Sequence, residues 1–166
     1  MSGIVIADSS PLIGLARINQ LELLHLLYTE IWIPPAVYAE LKPDAQRPGS
    51  QKLKAALEAG WLHIANSEQF SAETYAELRQ TLDMGESEAI ALAEAMNARF
   101  LLIDERKGRE VAIRRGVPIA GIGAVLLAAK RHGYILSVAV ELGALKKAGY
   151  RLSAALIRKL LELAGE

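Results

Sequence analysis

Five acidic residues carry the chemistry that this chain could do: Asp8, Glu40, Glu86, Glu88 and Asp104. Asp8 ends the apolar run "IVIA" and Asp104 ends "FLLI", so two buried-looking strands each finish on a carboxylate. Glu40 lies near the end of "PAVYAELK", and Glu86 and Glu88 fall in the first turn of "GESEAIALAEAMNA". Each alone has an ordinary explanation. An aspartate before a helix is a favoured N-cap, a glutamate in a first turn suits the helix dipole, and most helix glutamates are simply solvated. Gathered together they would be costly, because two carboxylates about 5 Å apart at an effective dielectric of 20 repel by about 3 kcal/mol. Such a cluster takes up protons or binds a hard cation, and all-oxygen ligands select Mg2+ or Mn2+. Metal-assisted attack of water on a phosphodiester uses an acidic cradle of this kind. His25, His63 and His132 are isolated and lack ligand spacing, and the absence of cysteine excludes thiolate sites and disulfides.

Polar and basic residues adjoin the acids. Ser9 and Ser10 follow Asp8, and Arg106, Lys107 and Arg109 follow Asp104. The three cations read either as a solvated helix face or as contacts to substrate phosphates leading into the acidic site. Net charge is zero, yet residues 1–98 hold 6 Lys/Arg against 13 Asp/Glu and residues 99–166 hold 13 against 6. That split fits an acidic site beside a basic surface able to hold a polyanion.

The elements that must position these groups follow from the pattern. Short, uniformly apolar strands ("IVIA", "IWI", "WLHIA", "FLLI", "VPIA") alternate with helical stretches, which predicts a parallel sheet covered on both faces. The expected fold is α/β, a three-layer α/β/α sandwich with a central parallel sheet of about five strands. Ligands of such sheets sit outside the carboxyl ends of the strands, where Asp8 and Asp104 fall. At 166 residues, 52% hydrophobic and 23% charged, the chain suits one ordered domain with an aliphatic core. The apolar run before Asp8 is too short for a signal peptide, and the stretch 117–129 is broken by Pro118 and glycines. A cytoplasmic protein with no membrane association is expected.

Other motifs carry less. "GIGAVL" follows a strand and opens a helix, but its third glycine position is Leu126, so Gly121 and Gly123 are read as close strand–helix packing. "GESEA" imitates a nucleophile elbow around Ser87, yet carboxylates flank the serine and would repel an oxyanion. No Gly-Lys-Ser/Thr phosphate loop is present.

The segments "IVIADSSPLIGLARI", "IPPAVYAEL", "GESEAIALA", "LLIDERKGREVA" and "PIAGIGAVLLAAK" together resemble the PIN-domain nucleases over about residues 3 to 160. They look most like the short prokaryotic branch associated with toxin–antitoxin loci. The resemblance implies a metal-dependent endoribonuclease using Mg2+ or Mn2+, acting as the toxin partnered by a small antitoxin protein. The alternative is a non-catalytic PIN-like module that binds RNA or protein, and DNA as substrate also stays open. By resemblance Asp8 is the first-strand acid, Glu40 the acid after the second strand, and Asp104 the fourth-strand acid. Glu86 and Glu88 match the Glu-x-Glu-Ala element used for metal, and Ser9 and Ser10 fall where the family often has a hydroxyl or amide beside it. Two departures stand out: Glu105 occupies a position where many relatives have a second aspartate, and two glutamates replace one aspartate. Positions i and i+2 of a helix point about 200° apart, so both reach one metal cluster only if the helix begins between them; Glu86 is placed slightly ahead of Glu88. Leu156, Leu160 and Leu163, widened by Ile157 and Leu161, form an apolar stripe that either closes the core or, as in relatives that pair, joins a homodimer.

Overall fold

In the computed structural model, which describes residues 3–166, five short strands form one sheet. They are β1 (Val5–Ala7), β2 (Ile31–Ile33), β3 (Leu62–Ile64), β4 (Phe100–Leu102) and β5 (Ile119–Ala120), in the order β3-β2-β1-β4-β5. All four pairings are parallel. The expected sandwich is therefore present. β1 is buried along its whole length, as a strand covered on both faces must be.

Strand order reverses beside β1: the chain first builds outward to β2 and β3, then returns to place β4 on the other side. Ile6 pairs with Leu101 and Ala7 with Leu102, and the Asp8 N–H extends the ladder to Leu102 O at 2.9 Å. The register thus sets Asp8 and the end of β4 at one rim, at the switch point where open α/β sheets bind ligands.

The helices among the described residues are α1 (Ser9–Arg17), α2 (Glu22–Tyr28), α3 (Pro35–Leu41), α4 (Ser50–Ala59), α5 (Ala72–Leu78), α6 (Met84–Ala95), α7 (Arg106–Arg114), α8 (Ile122–Arg131), α9 (Val138–Lys147) and α10 (Ala154–Ala164). Pro35 opens α3 at a position where its missing N–H is harmless, and Ser137 and Ser153 cap α9 and α10 through their hydroxyls. A 3-10 turn at Ser67–Gln69, held by an Asn66–Gln69 capping box, was not legible as an element. α6 packs on β1 and β4 with α3 and α5 beside it, while α2, α8, α9 and α10 form a second group; α1 touches members of both. No helix among the described residues is long and apolar enough to cross a membrane.

Two glycines do something other than expected. A Cβ at Gly123 would sit 2.6 Å from Leu160 Cδ1, so this glycine admits α10 onto α8, a helix–helix contact rather than a strand–helix one. Gly121 faces the Asp104 carboxylate instead of a packing partner. The α10 stripe divides accordingly. Leu160 is buried in the core, whereas Leu156 and Leu163 stay 39% and 53% exposed.

Candidate functional site

At the end of β1, Asp8 sits in the N-cap position of α1 yet its side chain makes no capping bond. It is 4% exposed, and burial pushes its carboxyl up to about 7; the Ser9 N–H offsets part of this, and Glu40, Asp83 and Asp104 add repulsion. The ordinary explanation for this aspartate, a helix cap, is therefore not the one realised.

Glu86 is fixed by a motif legible in "DMGE", a capping box. The Glu86 N–H donates to Asp83 Oδ1 at 2.8 Å, and the Asp83 N–H donates to Glu86 Oε1 at 3.3 Å. That uses one carboxylate oxygen. The other, Oε2, is buried and has no hydrogen-bond partner. Burial, then repulsion from Asp83 and Asp8, moves Glu86 up to about 7. α7 passes directly over it: a Cβ at Gly108 would lie 3.0 Å from Glu86 Oε2 and 2.7 Å from Ile103 Cδ1. Gly108 is thus a helix-interior glycine kept small by the acid beneath it.

Glu40 is more open. Its Oε2 accepts the Ser9 hydroxyl at 2.7 Å, while burial, Asp83 and Glu88 raise its pKa. A Cβ at Gly85 would overlap this carboxylate, so the glycine before Glu86 makes room for Glu40. Glu88 points elsewhere than Glu86, as the 200° between them requires: its Oε1 accepts the Ala36 N–H at 2.9 Å, at the N-terminus of α3. Its charge adds repulsion at Glu40. Ser9 is buried within the cluster, whereas Ser10 is exposed on α1. Ser87 is fully buried inside α6, which removes it as a nucleophile.

Asp104 is held from two elements. Both its oxygens accept the Ile122 N–H at 3.1 Å, at the start of α8, and Oδ2 also accepts the Tyr150 hydroxyl at 2.5 Å. Burial raises its pKa while Tyr150, Ile122 and Arg109 lower it. The ordinary explanation for this aspartate, a cap on its own following helix, is not realised either. Glu105 takes the N-cap of α7, accepting the Lys107 N–H at 3.4 Å, and Asp104 serves α8 instead.

A cleft of about 700 Å³ opens from Asp104 along α8 and α10. Arg106, Arg109, Arg151 and Lys159 line it, over a floor that includes Leu127, Leu156 and Leu163. Arg109 also donates to Ile103 O at 2.7 Å, and Arg106 reaches Glu110 at 3.3 Å from a solvent-exposed position. Lys107 is exposed and does not line this cleft.

The acids therefore act on one another as a group: Asp8 feels Glu40, Asp83 and Asp104, Glu86 feels Asp83 and Asp8, and Glu40 feels Asp83 and Glu88. Among the described residues no three acids or imidazoles are already spaced to hold a metal ion. The donor set nevertheless suits a hard cation. It is all oxygen, it is anionic, and it contains a buried carboxylate oxygen without a partner. Sequence reasoning missed Asp83, Tyr150, Arg151 and Lys159. Asp83 had a signal, the Asp-x-x-Glu box, and Lys159 sits at the helical spacing of the leucine stripe; Tyr150 had none that links it to a residue 46 positions away.

Comparison with curated proteins gives no match. Among solved structures, a PilT N-terminus domain protein from the hyperthermophilic archaeon Sulfolobus solfataricus P2 superposes with a TM-score of 0.53 at 19% identity, covering 76% of this chain and 92% of that one. That likeness is one of fold. A family profile described as DUF3368, a PIN domain, matches residues 4–166. With nearly the whole described chain matched and the acids gathered at the switch point of its sheet, the protein belongs to the PIN-domain family.

Proposed function

We propose that the chain is a Mg2+- or Mn2+-dependent endoribonuclease, the toxin of a toxin–antitoxin pair. One observation carries the catalytic part: Asp8 and Glu86, neighbours in a buried rim, are both pushed up to about 7, and Glu86 keeps an unpartnered oxygen. A site that holds protons on its carboxylates near neutral pH is short of positive charge. A divalent cation would supply that charge, lower the pKa of a bound water and neutralise phosphate charge. Asp8, Glu86, Asp104 and Glu40 would hold it. Arg106, Arg109, Arg151 and Lys159 give a phosphodiester strand a cationic path to the acids. Glu88, engaged by the Ala36 N–H at the start of α3, is left out of the cation's ligands.

RNA as substrate and a small antitoxin protein as partner follow the family resemblance rather than any one side chain. The test incubates purified protein with single-stranded RNA, structured RNA and single-stranded DNA, with and without Mn2+. Cleavage of RNA that needs Mn2+ supports the proposal. RNA retained uncut with Mn2+ present would instead make this a binding module, and cleavage of DNA alone would overturn the ribonuclease assignment.

A further inference from the structure

Tyr150 reaches Asp104 through a local device that nothing else in the site explains. α9 ends in a Schellman motif: the Gly149 N–H donates to Lys146 O at 3.1 Å and the Tyr150 N–H to Leu145 O at 2.9 Å, with Gly149 at φ 88°. The left-handed glycine turns the chain back toward the sheet and delivers Tyr150 to the rim. Its ring is then confined. A Cβ at Gly14 would lie 2.9 Å from two of the ring carbons, so α1, the helix that begins beside Asp8, carries a glycine where the tyrosine rests. The hydroxyl ends 2.5 Å from Asp104 Oδ2, on a carboxylate that Ile122 N–H already grips from the α8 side.

We infer that Tyr150 is a positioning residue for Asp104, holding the carboxylate at the β4 end in one orientation. The inference rests on the metal-centre reading above. The Ile122 N–H is shared equally by both oxygens and does not distinguish them, whereas the Tyr150 hydroxyl, from a different element, binds Oδ2 alone. Hydrogen-bonded partners of metal-ligating carboxylates typically change metal affinity or activity by about 10- to 100-fold when removed.

The experiment measures Mn2+ affinity by calorimetry, together with melting temperature, on the intact protein. Tyr150→Phe keeps the ring against Gly14 and removes only the hydroxyl. Val138→Ala, a buried truncation at the start of α9, is the control for general loosening. The expected result is a loss of about 10-fold or more in Mn2+ affinity for Tyr150→Phe, with wild-type affinity for Val138→Ala even where its melting temperature falls as far. Equal affinity in Tyr150→Phe and wild type would overturn the assignment, as would an equal loss in both variants. A wild-type protein that binds no Mn2+ would overturn the metal reading itself and Tyr150's role with it, an outcome distinct from the other two.

Discussion

Asp8 and Glu86 make the site's electrostatics measurable without substrate. Their ordinary values are 3.8 and 4.5, and in the folded chain both rise to about 7. Between those limits the folded state binds more protons than the unfolded one, so stability falls as pH rises and levels off above about 7. Asp104 and Glu40 shift in the same direction. Glu166, lowered to about 2, works oppositely, but only below its ordinary 4.5. Metal-free melting temperature should therefore decline from pH 5 toward pH 7, and Asp8→Asn should flatten that decline while raising stability at pH 8. A metal-free melting temperature that climbs steadily over the same interval would contradict it. Glu86 and Glu88 part company on the same logic. Glu86→Gln should remove most of the stabilisation that Mn2+ confers at pH 8. Glu88→Ala should leave that stabilisation in place and lower stability by about 1–3 kcal/mol in denaturant titrations, through the Ala36 N–H left without its partner. In the sequence these acids were telling only as a set, with Glu86 slightly ahead of Glu88. The sequence could not show that Asp104 serves α8, because that depends on β5 pairing beside β4 and so bringing the start of α8 to the end of β4.

Among the elements, α7 illustrates a local rule overridden by the site. Replacing an interior helix glycine by alanine ordinarily stabilises by about 1 kcal/mol. At Gly108 the added methyl would meet Ile103 and Glu86 Oε2 at 2.7 and 3.0 Å, and Ile103 is wholly buried and cannot withdraw. Gly108→Ala should therefore lower the melting temperature rather than raise it, and weaken Mn2+ binding by displacing Glu86; a stabilised variant with unchanged binding would refute the packing argument. Strands and helices themselves were largely legible, since apolar runs, prolines and serine caps announce them residue by residue. The reasons for particular glycines were not. "GIGA" looks like strand–helix packing in sequence, and only the folded chain reveals that Gly123 admits Leu160 and that Gly121 faces Asp104.

Over the whole molecule, the cleft that begins at Asp104 is lined by the basic C-terminal part, residues 99–166. The charge asymmetry was visible in the sequence, but its spatial focus was not: Arg151 and Lys159 come from the region of α10, far along the chain from Arg106 and Arg109. If the cleft holds a single-stranded polyanion, each phosphate contact contributes about 0.7 to the log–log salt slope of binding. Arg151→Ala combined with Lys159→Ala should then weaken RNA binding and shrink that slope by roughly 1.4, as read from fluorescence anisotropy across a salt series. An unchanged slope would place the strand elsewhere. The central claim, that the buried rim is a metal-dependent phosphodiesterase centre, is tested most directly by the single-turnover cleavage rate of an end-labelled single-stranded RNA with wild type and Asp8→Asn, each with and without Mn2+. Cleavage only by wild type with Mn2+, beside an Asp8→Asn protein that melts at the same temperature or higher, is the predicted result. An Asp8→Asn protein that cuts at the wild-type rate, or wild-type cleavage indifferent to Mn2+ and its chelation, would contradict it.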